Sequence, residues 1–132
     1  MLRQTQQWDI RCPKALVRMF PRAKRKGYYY KVTRDQAQRI CNALSAEYGV
    51  QRPVVSVEKP EHNGCCRFLP KGNSFIDVHA RGHIKTVFHE WYHHLEHATN
   101  GKYNSSDRQG GDTSLAWQFA DKLFEVFRRT YA

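Results

Sequence analysis

Apolar positions along the 132-residue chain change period several times, and each change marks a predicted element. Ala37, Ile40, Cys41, Leu44 and Tyr48 recur at helical spacing. Thr33 and Gln36 before them match a capping box, and Gly49 after them supplies a stop, so a helix is expected between. Pro53 to Lys59 alternates, with Val55 and Val57 on one side, as a strand does. Cys66 to Leu69 and Phe75 to His79 bracket the turn Pro70-Lys71-Gly72-Asn73 and read as a hairpin. Ile84, Val87, Phe88, Trp91 and Leu95 then form one helical stripe, opening near Gly82 and closed by Thr99-Asn100-Gly101. After a polar loop, Leu115, Phe119, Leu123 and Val126 mark the inward face of a last helix over Thr113–Arg129. Weaker signals suggest a short helix near Ala15 to Phe20 and a strand over Tyr28 to Val32. The order predicts an α+β fold with a small antiparallel or mixed sheet, as one domain over 28–132 behind a basic segment, 1–27.

The helix after the hairpin holds His89-Glu90-Trp91-Tyr92-His93, an H-E-x-x-H spacing. Positions 89 and 93 lie about 40° apart around a helix and about 6 Å along it, so two imidazoles can reach one zinc ion. Glu90 stands where its carboxylate can deprotonate a zinc-activated water without being a ligand. The metal face borders the apolar stripe, as a buried site under a cleft requires; a solvated histidine cluster would sit opposite it. Zinc needs a third protein ligand. His97 is about 12 Å along the axis from His89, too far to share the ion, and Glu96 fails similarly. Continued backward, the stripe of the last helix reaches Asp112, the first candidate, although an Asp before a helix is also a preferred N-cap. Asp107 is the next candidate, and a ligand from elsewhere stays open.

Charge adds a second theme. Lys and Arg number 22 against 12 Asp and Glu, a net +10 with a pI near 9.7. Arg22, Lys24, Arg25 and Lys26 lie beside Tyr28, Tyr29 and Tyr30, a mixture suited to phosphate contact and base stacking. A solvated basic surface explains the same pattern, and no sequence-reading motif accompanies it, so any nucleic-acid contact would be nonspecific. No apolar run reaches the roughly 20 residues a membrane span needs, and Met1 to Gln6 carries no signal-peptide core, so a cytoplasmic protein is expected. Cys12, Cys41, Cys65 and Cys66 show no disulfide or C-x-x-C spacing and read as reduced thiols.

Thr86-Val87-Phe88-His89-Glu90-Trp91-Tyr92-His93-His94-Leu95-Glu96-His97 resembles the active-site helix of zincin-type metallopeptidases, closest to the ImmA/IrrE group. Ala116 to Leu123 is similar to that group's following helix, and the likeness spans roughly residues 53–127. The resemblance implies a zincin-like fold, a Zn2+ cofactor, Glu90 as catalytic base, a protein or peptide substrate and plausible association with DNA. It also implies that Phe75 to His79 is the edge strand on which an extended peptide aligns. The group's glutamate ligand is replaced here by Thr113-Ser114-Leu115, which leaves Asp112 to substitute, and Tyr92 replaces a small residue, which challenges close helix packing. SprT-like proteases share the helix but expect a third histidine near a glycine. Gly64-Cys65 faintly resembles peptide deformylase, in which a cysteine is a ligand. A catalytically silent, basic nucleic-acid-binding module with a structural zinc is the remaining alternative. Tyr103, Arg108 and His79 are candidate oxyanion donors.

Overall fold

The computed structural model describes residues 10–20, 32–58, 64–79, 83–99 and 113–129. Its elements run α1 (Lys14–Met19), α2 (Arg34–Tyr48), β1 (Val54–Glu58), β2 (Gly64–Phe68), a 3-10 turn (Pro70–Gly72), β3 (Ser74–His79), α3 (Ile84–Ala98) and α4 (Thr113–Arg129). The fold is α+β with a three-stranded mixed sheet. No helix among the described residues is long and apolar enough to cross a membrane.

Local chemistry accounts for the helix ends. The Thr33 hydroxyl accepts from the Gln36 backbone N–H at 3.2 Å, and the Gln36 side chain accepts from the Thr33 N–H at 2.9 Å. This closes the capping box of α2. Gly49 ends α2 in the left-handed region at φ 71°, which costs glycine nothing. Gln38 then clamps β1 to this helix, donating to the Pro53 carbonyl at 2.9 Å and accepting from the Val55 N–H at 3.0 Å.

The hairpin forms as expected: β2 and β3 are antiparallel, with Cys66 opposite Ile76. The strand order is β1-β3-β2, and β1 runs parallel to β3. This corrects the expectation that Phe75 to His79 is an edge strand. It is central, and its backbone hydrogen bonds are taken up on both sides, so a substrate strand cannot pair with it. The local alternation that marks a strand says nothing of which partners it meets. Ser74, Ile76 and Val78 point to the buried face, with Val55 level with Ile76.

Helix α3 lies across β2 and β3 and packs along α4, while α2 covers β1. The core joins Ile40 and Leu44 of α2, Val55 and Ile76 of the sheet, and Phe88, Trp91, Tyr92 and Leu95 of α3. Trp91 keeps its indole N–H satisfied by donating to Ser45 Oγ at 3.0 Å. Leu16 of α1 and Phe20 at its C-terminal cap belong to the same cluster, with Phe20 edge-on to Phe127 at 5.7 Å. The α4 stripe is rotated from the expected one: Ala116, Phe119, Ala120, Leu123 and Phe127 are buried, while Val126 is 38% exposed. Alanines made the true face look thin in the sequence. Tyr92, expected to obstruct close packing, is fully buried and lies 4.8 Å from the Phe119 ring. The strand expected over Tyr28 to Val32 lies outside the described residues except for Val32, which is buried and not in a strand.

Candidate metal centre

Helix α3 carries five histidines from its N-cap to its last turn, and packing divides them by task. His83 caps the helix through Nδ1, which accepts from the Lys85 N–H at 3.0 Å. His94 is fully buried; its Nε2–H donates to the Gln51 carbonyl at 2.7 Å, and its Nδ1 accepts from Ser74 Oγ at 2.8 Å. His97 stacks on Phe68 at 4.4 Å and donates to the Leu69 carbonyl at 2.7 Å. These three fasten α3 to its surroundings. His89 and His93 remain, together with Glu90, each 5% exposed.

One ligand atom from each of His89, Glu90 and His93 lies within 4.8 Å of the others, a grouping that could hold a metal ion. His89 Nε2 is 3.7 Å from Glu90 Oε2, and the two imidazoles meet edge to face at 4.8 Å. Trp117 of α4 covers His89 at 4.2 Å with its ring tilted by 34°. His93 Nδ1–H donates to Glu96 Oε1 at 3.3 Å. Strand β2 presses on the site from the sheet side. A Cβ at Gly64 would stand 3.0 Å from Thr86 Cγ2 and 3.2 Å from both Glu90 Cγ and the Asp77 carbonyl. A larger residue here would push its neighbours aside by a few tenths of an ångström, so glycine favours the close approach of strand to helix.

Burial sets the charge states. It pushes the His89 pKa down to about 4, with nearby His93 adding to the effect, so the ring is neutral at pH 7. Burial pushes the Glu90 pKa up to about 7, partly opposed by His93, so its carboxyl group is poised to take or release a proton near neutrality. His89 Nδ1 is buried with no hydrogen-bond partner among the described residues. A neutral His89 imidazole with an unsatisfied nitrogen, beside a His93 imidazole oriented by a carboxyl group, fits a divalent cation of borderline softness.

Asp112, Asp107, Tyr103, Arg108, Arg22, Lys24, Arg25 and Lys26 lie outside the described residues. His79 ends β3, level with Glu58, on the sheet face opposite Ile76 and Val78. Neither Cys65 nor Cys66 joins the histidine cluster. All four cysteines are free, and burial first, then neighbouring carboxylates including Glu90, pushes the Cys65 and Cys66 thiols up. Three participants escaped the reading of the sequence. In the sequence Glu96 stands out only as a metal ligand set too far along the helix, although its i+3 spacing from His93 places it beside that ring. Trp117 and Gly64 act across elements, and no local pattern signals such contacts. No family model, curated protein or solved structure matches the chain.

Proposed function

We propose that this protein is a zinc-dependent peptidase. His89 and His93 bind the ion, Glu90 is the general base, and Asp112 completes the ligand set. The observation that carries this reading is the buried convergence of His89, Glu90 and His93 within 4.8 Å on one helical face. Zinc suits the donor set, and when bound it supplies Lewis-acid polarisation of water and of a substrate carbonyl.

The chain's own residues would do the following. Glu90 accepts a proton from water as the water oxygen adds to the peptide carbonyl carbon. As the carbon–nitrogen bond breaks, Glu90 returns that proton to the leaving amine. Burial raises the basicity of Glu90, which favours taking the proton, and its return would be favoured by a cation held nearby. Trp117 shields His89 from water on one side. The strand suited to an extended peptide is β2, which lies at the sheet edge among the described residues and touches Glu90 through Gly64.

The test is peptide hydrolysis by Glu90→Gln beside the parent protein. The variant should keep its zinc and lose activity by at least about a hundredfold, the size of a general-base contribution. Unchanged cleavage would defeat the assigned role. The net charge of +10 supports nucleic acid as a further partner. Were the chain instead a silent basic module with a structural ion, nucleic-acid binding would ignore Glu90→Gln and no peptidase activity would exist to lose.

A further inference from the structure

We infer that Glu96 is a positioning residue for His93, an inference that rests on the metal-centre reading above. The Glu96 carboxyl group is 1% exposed, on the same helix and one turn beyond His93. Its Oε1 lies 3.3 Å from His93 Nδ1, inside a pocket where both side chains are almost completely withdrawn from water. A carboxyl group in such a place is costly unless it is hydrogen-bonded, so its position needs a compensating partner. The imidazole N–H supplies one. With the hydrogen held on Nδ1, the lone pair is on Nε2, and the ring cannot rotate without breaking the contact.

His89 is held differently. Its Nδ1 has no hydrogen-bond partner among the described residues, and its ring instead packs against Trp117 at 4.2 Å, tilted by 34°. One histidine is therefore oriented by a hydrogen bond that selects a tautomer. The other is oriented by an aromatic wall that selects only a ring plane. The two should respond to different substitutions, and of the two histidines loss of Glu96 should act on His93.

The experiment uses the full-length protein and reads metal affinity and tautomer separately. Zinc affinity, from competition with a chromophoric chelator, should fall about 10- to 100-fold in Glu96→Ala and much less in Glu96→Gln, whose amide oxygen still accepts the Nδ1–H. Long-range proton–nitrogen correlation spectra of the metal-free protein should show His93 protonated at Nδ1, a preference lost in Glu96→Ala. Circular dichroism checks the fold of each variant. If the alanine variant does not fold, Glu96→Leu fills similar space without an acceptor and carries the same measurements. Parent-like zinc affinity and an unchanged His93 tautomer in a folded Glu96→Ala or Glu96→Leu protein would overturn the inference. Failure of the parent protein itself to bind zinc would sink the metal centre, and the inference with it.

Discussion

Glu90 and His89 are neighbours whose burial acts in opposite directions on stability. In the metal-free protein Glu90 titrates near 7 instead of its ordinary 4.5. Between those values the folded chain holds a proton that the unfolded chain releases, so this residue's contribution to stability falls as pH rises through that window. His89 titrates near 4 instead of 6.5, so between those values the unfolded chain holds the extra proton, and stability is lost as pH falls. Gln cannot titrate and keeps the shape of the protonated acid. Glu90→Gln should therefore stabilise the metal-free protein at pH 8 by roughly 1–3 kcal/mol and have little effect at pH 4.5. Denaturant unfolding at the two pH values measures the difference. An equal effect at both would show that Glu90 does not titrate in that range.

At the scale of elements, α3 is both the site and the fastener of the fold. His94 binds β3 through Ser74 and the chain after α2 through Gln51. His94→Ala should cost about 2–4 kcal/mol of unfolding free energy, because it leaves a cavity and strips the buried Ser74 hydroxyl and the partly buried Gln51 carbonyl of their partner. The folded fraction should still bind zinc normally, whereas His93→Ala should lose zinc at a smaller cost in stability. Thermal unfolding beside zinc titration separates the two; loss of zinc in folded His94→Ala would contradict this division.

Much of this element-level picture is written locally in the sequence. Thr33 with Gln36, Gly49, the hairpin around Pro70 to Asn73 and the Thr113–Arg129 helix depend on neighbours a few residues away, and each appears where expected. The convergence of His89, Glu90 and His93 follows from helical spacing alone. The central place of β3 does not, because it depends on parallel pairing with β1, some 20 residues earlier. The rotation of α4 that exposes Val126 and buries Phe127 was equally hidden, since it is set by the surfaces of α3 and α1. Gly64 and Trp117 belong to this second group: their roles exist only once β2 and α4 close around α3.

At the scale of the whole molecule, a modest core is built around one long-buried helix whose polar residues are unusually well enclosed. Thr86, His89, Glu90, His93, His94 and Glu96 are all buried on α3. In a small domain, such polar burial detracts from stability unless each group is partnered; His94 and Glu96 are hydrogen-bonded, and the His89, Glu90 and His93 grouping could hold a metal ion. Binding of a metal to the folded state alone would raise stability by mass action. The most direct test is calorimetric zinc titration of metal-free protein, run on the parent chain and on His89→Ala and His93→Ala. One ion per parent chain, with binding lost or weakened by orders of magnitude in both variants, is the predicted result. No stoichiometric binding to the parent chain, or undiminished binding to both variants, would contradict it.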